Sequence, residues 1–184
     1  MRFWQRVGIA SCFVVLAATG LDGQQAAAEV VAFPHAKYPP GSIVIVNSER
    51  RLYHVRPDGR AKRYRIAVGV PDELWVGLEI VTNKRENPRW IEPDEDGEGE
   101  VIEGGEPNNP LGKRALYLGQ TLWRIHGTSA PRSIGKAVSN GCIRMHNDDV
   151  IELYEQVAVG TEVYAVTRLN QSKPRAPGRK LSDD

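Results

Sequence analysis

Four β-branched residues in succession, Ile43-Val44-Ile45-Val46, constrain this chain more than any other local feature. Side chains branched at Cβ are stiff and favour extended backbone. A short, wholly apolar run, here bounded by Ser42 and Asn47, reads as a buried strand. Arg51-Leu52-Tyr53-His54-Val55 reads as its partner. Pro57-Asp58-Gly59 supplies the next turn, with proline pre-setting φ and glycine accepting a positive one. Arg63 to Val68 alternates as a third strand, and Val76 to Thr82 makes a fourth. Ala115–Leu118, Leu122–His126 and Thr161–Val166 complete a series of short strands. The chain is therefore expected to be mainly β.

Only one helix is persuasive. Asn147 is expected to cap it, and Asp148 and Asp149 suit its positive end. Val150, Ile151, Tyr154 and Val157 share a face, and Gly160 ends the run. Between Asn83 and Gly112 the pattern dissolves into a proline-rich stretch holding the acidic run Asp94 to Glu100. A loop of this length in a small domain suggests a rim or lid. The alternating acids suggest calcium, but the glutamate expected at the twelfth loop position is missing, so a solvated loop is the expectation. Residues 169–184 are polar and proline-rich and are expected to be disordered.

The amino terminus decides the compartment. A basic head, Met1 to Arg6, precedes an apolar stretch from Val7 to about Ala18, and Ala26-Ala27-Ala28 follows. This is the pattern of a secretory signal peptide, residues 1–28, cleaved after Ala28. An uncleaved anchor is the alternative, although the apolar run is short for a membrane span. The expected location is the periplasm. Residues 29–41 lead into a single domain, 42–168. About 155 residues remain after cleavage, enough for one core. With 24 basic and 23 acidic residues the net charge is +1. Nothing in that balance points to nucleic acid.

Removing the leader removes Cys12 and leaves Cys142 as the lone cysteine. A free thiol in an oxidising compartment is a liability unless it is buried or used. Its neighbours favour use. Gly141 lets the chain turn sharply before Cys142. The backbone N–H groups of Asn140, Gly141 and Cys142 can converge on an anion, as an oxyanion hole requires. An imidazole or guanidinium activates a thiol, and His126 and Arg144 are the candidates. His126, Cys142 and His146 could instead bind zinc with one open position, but no CxxC or HExxH motif supports it. The cysteine and histidine come in the wrong order for a papain-like protease, and no caspase-type signature is present.

His126-Gly127-Thr128, Ser139-Asn140-Gly141-Cys142-Ile143-Arg144-Met145, Asp149, Leu153-Tyr154 and Val159-Gly160-Thr161-Glu162-Val163 together resemble the L,D-transpeptidase catalytic domain, the YkuD-like family. Asn87-Pro88, Asn109-Pro110-Leu111-Gly112 and Ala115-Leu116-Tyr117-Leu118 fit the same pattern. The resemblance covers about 125 residues of the sequence, nearly the whole mature domain. It implies a β-sandwich-type fold with one helix after the cysteine motif, and a bacterial cell-wall enzyme. By resemblance, Cys142 is the nucleophile and His126 the general base and then acid. The Gly127 carbonyl orients the imidazole, and Ser139, Asn140 and Gly141 support the oxyanion turn. The implied donor is a peptidoglycan tetrapeptide stem, cleaved before its terminal D-Ala. The acceptor is an amine on another stem or on an outer-membrane protein. Carbapenems are implied as acylating inhibitors, and no metal or organic cofactor is implied. Arg144 and Trp75 are the candidate substrate-binding residues.

Two positions depart from the family pattern. Asn140 stands where many members have histidine, which preserves the backbone N–H. Leu74-Trp75-Val76-Gly77 replaces a common Thr-Pro-x-Gly stretch, so Trp75 is expected to shape the donor groove or to join the core. A hydrolase using water on the same site and a non-catalytic wall-binding module are the rival readings.

Overall fold

The computed structural model describes residues 28–92 and 99–181. The expected signal peptide lies outside these residues except for Ala28, as does most of the acidic run. The domain is mainly β with a single helix among the described residues, in a β-sandwich-like arrangement. In chain order the strands are β1 (Glu29–Ala32), β2 (Ile43–Val46), β3 (Arg51–Val55), β4 (Arg60–Arg65), β5 (Val68–Gly69), β6 (Trp75–Glu86), β7 (Trp90–Ile91), β8 (Val101–Ile102), β9 (Arg114–Leu118), β10 (Arg124–His126), β11 (Ala137–Ser139), β12 (Ile143–Arg144), β13 (Glu162–Val166) and β14 (Arg179–Lys180). The helix, α1, spans Asn147–Gln156.

The β-branched run forms β2, a strand buried along its whole length. Ile43 and Ile45 enter the main core, whereas Val44 and Val46 enter a second cluster with Phe33, Tyr38, Tyr53 and Tyr164. Period-two alternation with both faces covered explains why no polar residue interrupts it. β13 lies parallel to β2 and alternates in the same way, with Val163 and Ala165 on one face and Tyr164 and Val166 on the other.

The sheet order is β1-β4-β3-β2-β13-β6-β9-β10-β12. β6 joins the two halves. Its first part pairs with β13 through Gly77 to Ile80, and its second part pairs with β9 through Val81 to Glu86, across a register shift between Val81 and Asn83. A bulge there bends the strand and redirects it. Both halves contribute to the main core, which includes Leu52, Tyr64, Leu116, Ile125, Ile143 and Leu153.

Among its described residues, the stretch 83–112 holds more strand than its composition suggests. β6 continues to Glu86 because β9 supplies partners for a polar run with weak local preference. β7 and β8 then close a small ribbon. The tail is also a correction. Instead of being disordered, its described residues, which run to Leu181, return along β6 and add β14 opposite Trp75 and Val76. The helix begins one position earlier than expected. His146 occupies the cap position, and Asn147 is the first helical residue, with its side chain engaged elsewhere. Leu153 is buried beside Val150, the helix ends at Gln156, and Gly160, at φ +95°, serves the turn into β13.

Candidate active site

β10 and β12 run parallel, with Ile125 opposite Ile143 and His126 opposite Arg144. The two isoleucines enter the core. Alternation therefore turns Arg124, His126 and Arg144 to the other face. Cys142 immediately precedes β12, two residues from Arg144. It is a free, partly buried thiol, and it donates to the Leu122 carbonyl at 3.6 Å. Thus the folded chain carries the histidine on β10 and the cysteine at the entry to neighbouring β12, at one sheet edge.

His126 is buried, at 3% exposure. Its Nδ1 lies 2.6 Å from the Gly127 carbonyl oxygen. A carbonyl only accepts, so Nδ1 carries the proton and Nε2 is left as the basic nitrogen of the neutral ring. Burial pushes the imidazole down to about 4. The Gly127 carbonyl opposes that shift, Arg144 and Arg124 reinforce it, and the Leu111 carbonyl opposes it more weakly. The ring is accordingly neutral at pH 7 and able to take a proton.

The loop behind the imidazole is held by Asn147. Its Oδ1 accepts from the Lys113 N–H at 3.0 Å and the Thr128 N–H at 3.3 Å, and its Nδ2 donates to the Thr128 carbonyl at 3.0 Å. A Cβ on either Gly112 or Gly127 would come within 2.2 Å of that Oδ1. Asn147 therefore clamps His126-Gly127-Thr128 rather than capping the helix. Only the two glycines in Asn109-Pro110-Leu111-Gly112 and His126-Gly127-Thr128 hinted at this packing, and neither identifies the asparagine.

The cysteine turn is held from below. β11 lies parallel to β5, and the Val70 N–H donates to the Ser139 carbonyl at 3.0 Å. Ser139 is buried, and its Oγ donates to the Cys142 carbonyl at 2.6 Å. It braces the turn through that bond. Gly141 takes φ +95° and rests against Trp123, where a Cβ would come 2.7 Å from Nε1. Both the dihedral and the contact require glycine. Among the described residues, no turn or loop hydrogen bond takes up the backbone N–H of Asn140, Gly141 or Cys142.

Trp75 does not line the groove. It is 1% exposed, stacks on Trp123 at 4.5 Å, and donates through Nε1 to the Gly141 carbonyl at 3.1 Å. Its indole joins the core, which corrects the expected substrate contact. Arg144 bonds through its backbone to Ala67 in both directions, leaving its half-buried guanidinium on the His126 side. Arg124 escaped the sequence reading. Its guanidinium donates to the Leu122 carbonyl at 3.1 Å and lies over the Tyr117 ring. His146 is not gathered with His126 and Cys142. Among the described residues no three His, Cys, Asp or Glu side chains form a possible metal site, and burial and Arg65 push His146 downward.

A thiol at the entry to one strand and a neutral imidazole on the adjacent strand are the equipment of thiol-based acyl chemistry. The chain belongs to the L,D-transpeptidase catalytic domain family, YkuD, which matches residues 40–164. It is 41% identical over 132 residues to the L,D-transpeptidase relative YqjB of Bacillus subtilis, covering 68% of this chain and 71% of that protein. It is 37% identical over 138 residues to the ErfK/SrfK relative of Escherichia coli, covering 67% of this chain and 43% of that protein. Among solved structures it is similar to LD transpeptidase LdtMt1 in complex with imipenem, at TM-score 0.55 and 17% identity, covering 67% of this chain and 57% of that one. The latter likeness speaks to fold alone. This chain thus spans less than half of the Escherichia coli relative and somewhat more than half of the LdtMt1 chain.

Proposed function

We propose that this chain is a periplasmic L,D-transpeptidase acting on peptidoglycan stem peptides, with Cys142 as nucleophile and His126 as general base. The observation that carries this reading is the 2.6 Å contact from His126 Nδ1 to the Gly127 carbonyl, which leaves Nε2 basic on the strand beside the cysteine. In the resting molecule the thiol rests on the Leu122 carbonyl. Catalytic contacts commonly tighten only when substrate is bound.

Sγ attacks the carbonyl between the third stem residue and the terminal D-Ala, and His126 Nε2 takes the thiol proton. The backbone N–H groups at Gly141 and Cys142 receive the developing oxyanion. The tetrahedral adduct collapses, His126 returns the proton to the departing amine, and D-Ala leaves. A thioester remains on Cys142. The side-chain amine of another stem then attacks it, giving up a proton to His126. Collapse forms the new amide and restores the thiol. Arg144 faces the same side as the imidazole and suits a substrate carboxylate. The family's name for its members supports transfer between peptides. A β-lactam would open on the same thiol, since its strained carbonyl takes the place of the scissile amide.

Mass spectrometry of purified muropeptides incubated with the mature protein tests this. Cross-linked tetrapeptide–tripeptide dimers and free D-Ala are expected. Tripeptide alone would replace transfer by hydrolysis, and a stem attached to protein would identify a protein acceptor. Binding without any covalent change would leave the wall-binding module.

A further inference from the structure

We propose that Trp75, secured by the returning carboxy-terminal strap, is a positioning residue that aims the Cys142 backbone N–H at the oxyanion. The inference rests on the acyl-transfer reading above and names a device for that same site.

The Gly141 carbonyl and the Cys142 N–H belong to the same peptide bond, and the described residues contain no cis peptide. In a planar trans unit the C=O and N–H point in opposite directions. Trp75 Nε1 draws the Gly141 carbonyl inward at 3.1 Å, to an indole that is itself 1% exposed. The Cys142 N–H is thereby turned outward. The next carbonyl, that of Cys142, is held by Ser139 Oγ at 2.6 Å. Both flanks of the nucleophile are thus fixed, one by an indole and one by a hydroxyl.

The strap in turn fixes the indole. Gly178 packs against both rings of the stack. A Cβ there would come 2.6 Å from Trp123 and 2.8 Å from Trp75. The Gly178 N–H donates to the buried Glu79 carboxylate at 2.9 Å. Gly77 admits the strap, since a Cβ on it would lie 2.3 Å from the Gly178 Cα. On the far side the Leu181 N–H donates to the Leu74 carbonyl at 2.7 Å, and Lys180 pairs with Glu73 at 2.7 Å. Trp75 is therefore bracketed by contacts from Ala176 to Leu181, with the Ala176 carbonyl accepting from the Leu78 N–H at 2.9 Å. Such a chain of contacts is more than a core tryptophan needs for burial, and it ends on the peptide that precedes the nucleophile.

Two reactions of Cys142 separate aiming from general packing. Imipenem acylation passes through a tetrahedral oxyanion. Alkylation by iodoacetamide displaces iodide at a methylene carbon and forms none. Trp75→Phe keeps a stacked ring and removes the N–H. Its acylation rate is expected to fall about tenfold to a hundredfold, up to the lower end of what outright loss of an oxyanion donor costs, while its alkylation rate stays close to that of the wild type. Gly178→Ala, which displaces the strap but keeps the indole N–H, is expected to lower acylation selectively as well. Equal acylation by the wild type and Trp75→Phe overturns the proposal, as does a parallel fall in both reactions. Should Trp75→Phe fail to fold by circular dichroism, Gly178→Ala decides by the same comparison. If the wild type is not acylated at all, the acyl-transfer reading itself fails and this inference falls with it.

Discussion

Replacing His126 with glutamine should change how the domain responds to acid, by an amount the structure sets. The unfolded ring titrates near its ordinary value of about 6.5, and burial brings the folded ring down to about 4. Above pH 6.5 neither state binds the proton and the ring contributes nothing to the pH dependence. As pH falls through 6.5 the unfolded chain gains the proton first, so stability declines until pH 4, below which both states are protonated. That separation corresponds to about 3 kcal/mol. Asp149 acts in the opposite sense. Burial, followed by Glu152 and Asp148, pushes it up to about 6. Its folded carboxyl protonates before its unfolded one, and stability rises as pH falls from about 6 towards about 4. Partial solvent access reduces its share to roughly 1 kcal/mol. The wild-type profile mixes these effects, but the difference between His126→Gln and wild type removes Asp149 and every other shared group. Urea unfolding at pH 7, 5.5 and 4 should show that difference moving by about 3 kcal/mol in favour of the variant. A difference that stays constant across the range would refute a buried, neutral imidazole. The same ring predicts the acid limb of imipenem acylation near pH 4, and a limb at 6.5 would point to an exposed or ion-paired histidine.

Cys142→Ala should abolish both D-Ala release and β-lactam adduct formation while thermal unfolding stays close to wild type, because the thiol makes one weak contact. Turnover by that variant would refute the nucleophile assignment. EDTA should leave activity intact, and His146→Ala should cost far less activity than His126→Ala, whereas metal-dependent recovery would favour the zinc reading. Gly141→Ala should lose acylation at least tenfold and about 1–3 kcal/mol of stability, because its Cβ would meet Trp123 at 2.7 Å and its φ is +95°; calorimetry and adduct mass read the two effects. Asn147→Ala should destabilise the domain by about 1–2 kcal/mol, since it strands the part-buried Thr128 N–H and releases the exposed Lys113 N–H, and an unchanged melting temperature would refute the clamp.

Much of the fold was legible in local pattern. Ile43 to Val46 read as a covered strand, and Pro57-Asp58-Gly59 as a turn, with Gly59 indeed at φ +72°. Strongly β-branched runs and turn residues carry their conformation within a few bonds, so neighbours in sequence suffice. The candidate pair was legible for a different reason. A lone thiol after a glycine and a histidine at a strand end are chemically conspicuous wherever they lie, and a family resemblance brings them together.

What tertiary structure alone decided depends on partners distant in sequence. The polar stretch Asn83 to Glu86 is strand because β9 pairs with it, and the polar tail is strand in part because β6 leaves an edge beside Trp75. Asn147 reads as a helix cap from its neighbours, yet its amide meets Lys113 and Thr128, 34 and 19 positions away. Trp75 reads as either a groove or a core residue, and only the fold shows its indole reaching the Gly141 carbonyl, 66 positions away. A hydrogen bond or a stacked ring leaves no periodic trace when its two halves lie far apart in the chain. For that reason the sequence determined which groups are available for chemistry, and only the packed structure decided which residues aim them.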